Sequence, residues 1–364
     1  MKPNRFLSAV LAGTLAVGLT ACGSTAPASS GAESEPEVVI SSAVDSEQAA
    51  STAAAAGSDP AVTLVFAESG TQDSTTGKVA SYFKEKAEEL SGGSVTIDLN
   101  FAGVLGSEAE VFSALGAEDG GVDLARLSTS LLSEHGCDKN ALLTVPYTFA
   151  SRAHWWNFIT SDVGAQVLGE PQEIGLPFRG LFFVEDGFRD FFTVRSVTGL
   201  QDFKGLRLCV ADSAITGGIV ESLGAVVSDA PAEDLYTALQ TGQADGGELS
   251  LNSYAVGGYN QVANTLILDG HTLSSSQVVM RSASWDALTE NQQTALTQAG
   301  TLAEEYNAQI SQQEEDRVLD SLRSQGCNIV EVPDKSDWAV ACSNVVEQYT
   351  KDQPELYAQI LDLA

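Results

Sequence analysis

The first folded stretch of the chain alternates strand-like and helix-like hydrophobic patterns. Residues 62–67 form an apolar run of strand length, and apolar residues then recur at helical spacing as far as Leu90. Val95, Ile97 and Leu99 alternate with polar residues, as in a strand that buries one face. This stretch therefore predicts a strand, a helix and a second strand in that order.

A capping box marks the next helix. Ser107 stands three residues before Glu110, which predicts a helix to about residue 115, and a strand is predicted at 122–127. The same order of elements restarts later, with a strand at 206–210, a helix at 215–223, a strand at 225–227 and a helix at 231–241. Two such runs predict an α/β protein of two domains with mostly parallel sheets. In sheets of this kind a ligand binds beyond the carboxyl ends of the strands, so we expect an interdomain ligand cleft.

One predicted helix is unusually long. Thr289 and Gln292 form a second capping box, and helical patterning continues to about residue 325 with Gly300 as its one interruption. About 37 residues at a rise of 1.5 Å would extend roughly 55 Å, longer than one small domain. The pattern predicts a domain-spanning helix, and a break near Gly300 into two helices is the alternative.

The first residues have the pattern of a secretory signal. Lys2 and Arg5 precede an apolar run at 6–19 that is too short to span a bilayer. The run ends in Leu-Thr-Ala-Cys, which resembles the bacterial lipobox, with Cys22 as the residue that receives the lipid. Residues 1–21 are therefore predicted to be a lipoprotein signal peptide, and the protein to be extracytoplasmic, anchored to the bacterial cell membrane by lipidated Cys22. An ordinary secretory signal with an incidental cysteine is the alternative.

The next segment and the remaining chain suggest a tether followed by two domains. Residues 22–60 are rich in Ala, Ser, Gly, Thr and acidic residues, so we expect a lipid-anchored disordered tether. About 300 further residues are more than one hydrophobic core usually organises, so two domains are expected. The predicted first domain joins 61–185 to 275–314, and the second joins 186–274 to 315–364.

Charge and motif content exclude several classes of function. Lys and Arg number 18 against 49 Asp and Glu, a formal net charge of −31, which argues against nucleic acid as a partner. No nucleophile elbow, phosphate-binding glycine loop or His-Glu-x-x-His motif is present, so we expect neither an enzyme nor a bound cofactor. His135, Cys137 and Asp138 are too weak a pattern to predict a metal site.

Four cysteines follow Cys22, at positions 137, 209, 327 and 342. Four cysteines allow three pairings, which the sequence cannot separate, and Cys327 with Cys342 is the shortest closure. Four buried free thiols are an equal alternative, because a core of this size does not need disulfides.

Several segments, taken in order, resemble one family. They are FKEKAEELSGGSVTI (83–97), VDLARLS (122–128), VPYTF (145–149), GLQDFKGLRL (199–208), LYTALQTGQADGGE (235–248) and WDALTENQQ (285–293). Together they resemble the substrate-binding subunits of tripartite ATP-independent periplasmic (TRAP) transporters, the DctP-like proteins. The resemblance implies two α/β domains joined by crossing strands and one long helix. It also implies capture of an organic acid or sugar acid for ion-driven integral-membrane subunits, and we expect a monomer.

Two arginines are candidate ligand contacts. The segment VEDGFRDFF (184–192) looks like that of members that take sugar acids, and Arg189 falls on a family arginine that faces the ligand. A guanidinium suits a carboxylate because it stays charged and donates two parallel hydrogen bonds. Arg126 lies within an otherwise apolar strand, where a charge needs a partner. The alternatives are internal ion pairs: Arg189 with Glu185, Asp186 or Asp190, and Arg126 with an acid such as Asp123 or Glu134.

The sequence departs from the family at the main carboxylate anchor. Where the resemblance implies an arginine that clamps the ligand carboxylate, this chain has Cys209. Leu249 replaces a family asparagine, and Ala232 replaces a bulky residue. Either the ligand is not a conventional monocarboxylate, or Arg207, on the same strand face as Cys209, reaches a neighbouring position.

Further polar residues are expected near the cleft: Glu68, Ser128, Thr129, Glu248, Asn252 and Tyr254. Their carboxylate, hydroxyl and amide groups suit a polyhydroxylated ligand. Trp155 and Trp156 could stack on a sugar face, although two tryptophans on a helix more often pack in a core. A ligand-sensing lipoprotein without a transport role is the alternative function.

Overall fold

The structure is a computed structural model that describes residues 44–117, 121–211 and 213–364. The predicted signal peptide, Cys22 and the first part of the predicted tether lie outside the described residues. Within those residues the strands are β1 Val62–Ala67, β2 Val95–Asn100, β3 Leu124–Ser128, β4 Phe178–Thr193, β5 Arg207–Cys209, β6 Val226–Val227, β7 Gly246–Ser250, β8 Thr265–Arg281 and β9 Asn328–Glu331.

Helices cover both faces of these strands. In the described ranges they are α1 Ser46–Ala56, α2 Thr75–Leu90, α3 Glu108–Gly116, α4 Thr129–Glu134, α5 Asp138–Ala141, α6 Arg152–Ile159, α7 Asp162–Leu168, α8 Glu170–Glu173, α9 Ala214–Ser222, α10 Leu235–Thr241, α11 Leu251–Val256, α12 Ser282–Asp286, α13 Glu290–Ser324, α14 Ser336–Ala341, α15 Ser343–Thr350 and α16 Pro354–Leu361. Short 3₁₀ turns lie at Leu142–Thr144, Leu200–Phe203, Ala232–Asp234 and Tyr259–Gln261. The chain is thus the mixed α/β protein that the sequence predicts.

The strands form one sheet in the order β2-β1-β3-β8-β4-β7-β5-β6, with β9 also paired to β8. β1 pairs in parallel with β2 and β3, and β5 pairs in parallel with β6 and β7. The long strands β4 and β8 are antiparallel to each other and connect these two parallel groups. Their pairing is irregular between Glu185 and Phe188.

The periodicity predicted most of these elements correctly. The predicted strand at 62–67 is β1, and the capping box of Ser107 and Glu110 forms as expected at the start of α3. One boundary was wrong, because the predicted helix at 231–241 begins as the 3₁₀ turn Ala232–Asp234 and becomes α-helical only at Leu235.

The predicted tether contains a helix that the sequence analysis did not expect. α1 begins after Asp45, whose side chain accepts a hydrogen bond from Gln48 N, and it buries Thr52 and Ala56. Alanine has the strongest helix propensity, so small residues can form a helix once a packing surface is available. The prediction of disorder is therefore wrong for residues 46–56.

The long helix is continuous. α13 has 35 residues, and its capping box of Thr289 and Gln292 forms. Gly300 does not break it, because the helix passes close to β4 there: a Cβ on Gly300 would lie 3.0 Å from Phe182 Cδ1. Glycine at this position allows close approach and does not end the helix.

All four cysteines of the described residues are free thiols. Cys137, Cys209 and Cys342 are buried, while Cys327 is half-buried. The free-thiol alternative is therefore the one found, and Cys327 is not joined to Cys342.

Candidate functional site

A pocket opens at the carboxyl ends of β2, β1 and β3. The helix α3 and the loop before it close one side. Residues from all four elements line the pocket: Ala67, Glu68, Ser69, Asn100, Gly103, Leu105, Gly106, Glu108, Val111 and Arg126. This is the edge of a parallel sheet where ligands of α/β proteins bind.

Arg126 is held in this pocket by Glu68. Its Nε lies 2.9 Å from both Glu68 carboxylate oxygens, and its Nη2 lies 2.7 Å from Oε1. The remaining donors reach Ser69 Oγ at 2.7 Å and Ser276 Oγ at 2.9 Å. Burial alone would lower the pKa of Arg126, but the Glu68 carboxylate outweighs it and raises that pKa. The charge of Arg126 is thus balanced inside the pocket.

The register of the sheet explains this pair. Ala67 of β1 pairs with Ala125 of β3, so the next residues, Glu68 and Arg126, are neighbours across adjacent strands. The alternative of an internal ion pair is thus found for Arg126, with Glu68 as the partner. Asp123 accepts hydrogen bonds from Val65 N and Ser284 Oγ instead.

Arg189 forms a second buried pair, with Glu248. Its Nε lies 2.5 Å from Glu248 Oε2, and its Nη2 lies 2.8 Å from Oε1. The partner is therefore on β7, and not Glu185, Asp186 or Asp190 as the alternative had it. His271 Nε2 lies 3.5 Å from the same carboxylate.

The charges around Glu248 stabilise one another. Burial would raise the pKa of Glu248, but Arg189 and His271 outweigh it and lower that pKa to about 2. Burial would likewise lower the pKa of His271, whereas the Asp269 carboxylate, 2.9 Å from Nδ1, and Glu248 raise it to about 9. The three side chains therefore form a charged row, Arg189, Glu248 and His271.

Asp186 interacts electrostatically with both arginines. Burial raises the pKa of Asp186 to about 6, and the charges of Arg126 and Arg189 oppose that rise. Its Oδ2 accepts a hydrogen bond from Ser250 Oγ at 3.2 Å. Asp186 is thus near enough to both arginines for their charges to act on it.

Two further predicted residues lie at helix starts. Ser128 Oγ donates to Glu108 at 2.8 Å and accepts from Leu131 N, so it also caps α4. Asn252 Nδ2 donates to Thr75 Oγ1 at 3.1 Å, which joins the first turn of α11 to the first turn of α2. The structure thus places Asn252 between the two halves of the sheet.

Thr129 and Tyr254 do not line the pocket. Both are buried. The Thr129 hydroxyl donates a hydrogen bond to the Ser275 carbonyl, and the Tyr254 hydroxyl donates one to the Ala263 carbonyl. Trp155 and Trp156 lie elsewhere, on α6. Trp155 packs in a core with Phe158 and Phe183, as the packing alternative expected.

Arg207 lies at the opposite edge of the sheet. It begins β5, and Asp245 immediately precedes the parallel strand β7. Its Nη2 lies 2.8 Å from Asp245 Oδ1 and 2.9 Å from the Gly242 carbonyl. The structure therefore does not bring Arg207 to the Arg126 pocket.

An apolar group occupies the place where the resemblance implies an arginine. Cys209 is buried among Phe192, Leu235 and Leu239, and its Sγ donates to the Ala230 carbonyl at 3.4 Å. Leu249 packs against the same cluster. This side of the site supplies no cation of its own.

Sequence reasoning missed five polar residues at the site: Ser69, Asn100, Glu108, Asp186 and Ser276. Ser69 comes two residues after the end of β1, and Asn100 is the last residue of β2, so their positions at the ends of parallel strands could have identified them. Ser276 could not be found this way, because its approach to Arg126 depends on the antiparallel pairing of β8 with β3.

The described residues contain no group of acidic, His and Cys side chains that could hold a metal ion. In the same ranges, no helix is both long and apolar enough to cross a bilayer. A pocket lined by charged and polar side chains at the carboxyl edge of an α/β sheet is a position where small molecules bind.

Comparison with known proteins identifies the family. The model of DctP, described as bacterial extracellular solute-binding protein, family 7, matches residues 66–352, so the chain belongs to that family. The chain is 25% identical over 265 residues to the C4-dicarboxylate-binding periplasmic protein DctP of Rhodobacter capsulatus. This match covers 73% of this chain and 78% of that protein.

Solved TRAP periplasmic solute-binding proteins share the fold. One from Bradyrhizobium, in complex with α/β-D-galacturonate, is 25% identical with a TM-score of 0.75, covering 83% of this chain and 100% of that one. Another from Pseudomonas putida F1, with bound D-glucuronate, is 24% identical with a TM-score of 0.76, covering 82% and 96%. The predicted fold and the DctP family are thereby confirmed.

Proposed function

We propose that this protein captures a sugar acid, or another small organic acid, outside the cytoplasm and delivers it to TRAP-type membrane subunits. The observation that carries the proposal is the pair of arginines, Arg126 and Arg189, whose side chains remain 11% and 27% exposed while buried glutamates hold them. Galacturonate and glucuronate bound to TRAP proteins of the same fold support this class of ligand.

The proposed role of the arginines is to hold the ligand carboxylate. Cys209 offers no charge, so the carboxylate depends on Arg126, Arg189 or both. A guanidinium retains capacity to donate to a second acceptor beside its existing partner. Glu68 and Glu248 keep both arginines in place before the ligand arrives, which lowers the entropic cost of binding.

The pocket offers both hydrogen-bond donors and hydrogen-bond acceptors to the hydroxyl groups of a ligand. Glu68, Glu108 and Asn100 supply acceptor oxygens, while Ser69 and Asn100 also supply donors. We include Ser128, Glu248, Leu249 and Asn252 as further proposed contacts. Leu249 would supply an apolar contact, whereas Cys209 is fully buried in the adjoining core cluster. Such mixed polarity suits a polyhydroxylated acid better than a simple fatty acid.

We further propose that two domains close around the ligand. Their predicted boundaries, 185/186 and 274/275, fall in β4 and β8 where Glu185 pairs with Ser275, beside the irregular pairing. The hydrogen bond from Asn252 to Thr75 would form on closure and break on opening.

Anchoring through lipidated Cys22 and a monomeric state belong to the same proposal. An anchored protein would remain next to its membrane partner. Metabolic labelling with a palmitate analogue tests the anchor: the full chain should incorporate label, and Cys22→Ser should not. Light scattering measures the molar mass of the Cys22→Ser protein in solution and so tests whether it is a monomer.

A thermal-shift screen tests the ligand class. Sugar acids, dicarboxylates, keto acids, aromatic acids and neutral polyols are each added to the protein and to Arg189→Ala and Arg126→Lys. A ligand at 100 times its dissociation constant adds roughly 2.7 kcal/mol of stability. We expect a sugar-acid hit that either substitution weakens, while Arg207→Ala, at the far edge, leaves it unchanged. Hits confined to neutral compounds would contradict carboxylate capture.

A further inference from the structure

Side chains from two helices hold the step at which the pairing of β4 with β8 becomes irregular. Glu185 of β4 pairs with Ser275 of β8, and pairing resumes at Phe188. Gly187 lies within this step with a φ of 84°, a backbone conformation that residues other than glycine rarely adopt. The step coincides with the proposed domain boundary, so side chains that fix it also fix the relative position of the two domains.

Asn307 of α13 binds both backbone groups of Glu185. Its Oδ1 accepts a hydrogen bond from Glu185 N at 2.7 Å, and its Nδ2 donates to the Glu185 carbonyl at 3.1 Å. Nδ2 also donates to Ser311 Oγ at 3.0 Å, one turn further along the helix. On this side of β4 the pairing with β7 begins only at Arg189. The amide of Asn307 therefore supplies the two hydrogen bonds that a neighbouring strand would otherwise make with Glu185.

The side chain of Glu185 is held by Arg152 of α6. Arg152 Nε lies 3.0 Å from Glu185 Oε1, and its Nη2 lies 2.7 Å from Glu315 Oε1 of α13. Its Nη1 donates to Gln312 Oε1 at 2.8 Å. The second carboxylate oxygen of Glu185 accepts a hydrogen bond from Gly187 N, inside the irregular step. One guanidinium thus joins α6, α13 and β4 at the same level.

The step is also tightly packed. A Cβ on Gly187 would lie 2.4 Å from Glu315 Oε1, so the backbone of β4 passes directly beside α13. The Arg152 guanidinium lies 5.7 Å from the centre of the Phe188 ring. Glu185 and Asn307 are 2% and 3% exposed. Hydrogen bonds and an ion pair as buried as these are costly to break, so they restrict the backbone conformation of the step.

The same step separates the two arginines of the candidate site. Arg126 lies on β3 and donates to Ser276 of β8, both in the proposed first domain. Arg189 follows Glu185 on β4, in the proposed second domain. The backbone conformation between Glu185 and Phe188 therefore determines how far apart the two guanidinium groups lie.

We propose that Asn307 and Arg152 are positioning residues for ligand capture: they hold Glu185 at the pivot between the two domains and so set the separation of Arg126 and Arg189. This proposal rests on the proposed function, because it concerns the closure of that same cleft. Neither residue lines the Arg126 pocket. They act on the ligand through the hinge and not by contact with it.

A matched pair of substitutions on α13 tests the role of Asn307. Asn307→Ala removes the hydrogen bonds to the Glu185 backbone. Gln292→Ala is the control: Gln292 is also a buried amide, its Nε2 donates to the Pro60 carbonyl at 2.9 Å, and it lies roughly 22 Å earlier along the same helix. Arg152→Met is a second hinge variant. Melting curves and circular dichroism establish which variants fold, and Asn307→Ala decides the test if Arg152→Met does not.

Hydrogen exchange and small-angle X-ray scattering are measured on the ligand-free full chain with Cys22→Ser. In Asn307→Ala we expect the amides of Glu185 and Gly187 to exchange at least about tenfold faster than in the parent. We also expect a larger radius of gyration, because the unrestrained pivot admits more open conformations. Gln292→Ala should lower the melting temperature and leave both quantities unchanged.

Ligand affinity is then measured with D-galacturonate and D-glucuronate. In Asn307→Ala we expect affinity to fall at least about fivefold, because a smaller fraction of the molecules has the two arginines at the binding separation. Gln292→Ala should bind as the parent does. A loss of melting temperature alone cannot produce this difference between the two variants.

Three results would overturn the proposal. Exchange at Glu185 and Gly187 that matches the parent in Asn307→Ala shows that Asn307 does not hold the pivot. Equal changes in Asn307→Ala and Gln292→Ala show general destabilisation. A faster-exchanging hinge with unchanged affinity contradicts the positioning role. If neither acid binds the parent, these ligands fail as the proposed class, while exchange and scattering still decide whether Asn307 holds the hinge.

Discussion

The guanidinium of Arg126 makes three hydrogen bonds to the single carboxylate of Glu68, across the pairing of β3 with β1. The Glu68 side chain is fully buried and the Arg126 side chain is 11% exposed, so each charge depends on the other. A pair of this kind contributes to the geometry of the site, although its formation costs desolvation of both groups.

Removing one member of this pair should destabilise the protein. Glu68→Gln leaves the Arg126 charge in the pocket without its counter-ion, and we expect a loss of about 3 kcal/mol in the free energy of unfolding. Denaturant unfolding measures it. Arg317→Met, which breaks an exposed pair with Glu314, is the control and should change stability by less than about 1 kcal/mol. A Glu68→Gln protein as stable as its parent would show that Arg126 finds another partner.

The pair of Arg189 and Glu248 should produce a distinct acid dependence. The folded pKa of Glu248, about 2, lies below its ordinary value of 4.5. Its ionised form therefore stabilises the fold above that ordinary value, and the contribution is lost as the pH falls towards 2.

Arg189→Met should remove much of this acid dependence. We expect a loss of about 2 kcal/mol near neutral pH that shrinks as the solution is acidified. Unfolding curves over a series of pH values test it. Arg207→Met, at the exposed pair with Asp245, should give a much smaller loss. A loss for Arg189→Met that is the same at every pH would contradict the charge interaction.

The contribution of Glu304 to stability should change with pH in the direction opposite to that of Glu248. Its folded pKa, about 8, lies above its ordinary value of 4.5, so the folded protein holds this proton more tightly than the unfolded chain does. Stability should therefore fall as the pH rises from 4.5 through 8, as the buried carboxylate forms. Glu304→Gln cannot ionise, and its stability relative to the parent should rise over this interval by at least about 1 kcal/mol. Parallel pH dependences of the two proteins would contradict the raised pKa of Glu304.

The four thiols give a chemical test of the fold. A variant with Cys22→Ser should titrate four thiols per molecule in denaturant without reductant, because Cys137, Cys209, Cys327 and Cys342 are all free. In the native protein Cys327 should react first, since it is half-buried. Burial raises the pKa of Cys137 and Cys342 to about 12, which slows their reaction further. Two thiols in denaturant would indicate a disulfide.

The sequence predicted the regular elements well because their periodicity is local. α2, β2 and α13 were each visible from apolar spacing and capping residues. α1 was missed because a helix of Ala, Ser and Thr shows no apolar stripe. Its stability depends on packing against α2 and α13, which lie far away in the sequence.

The arginines show why the site was only partly predictable. Both were identified as candidates from residue type and resemblance, but their proposed alternative partners were residues close by in the sequence. The actual partners are 58 residues from Arg126 and 59 residues from Arg189. Strand order and register determine these pairs, and neither is readable from one sequence.

β4 and β8 run side by side through the whole sheet, with 16 and 17 residues, and both continue from one parallel group into the other. They are hydrogen-bonded neighbours, so neither can bend without the other. The proposed domains are therefore joined by this two-stranded ladder and by α13, which crosses the predicted boundary at 314/315, and not by a loose linker. Such a joint resists sliding of one strand along the other. The ladder already departs from regular pairing at three steps, and the step from Glu185 to Phe188 lies at the proposed boundary.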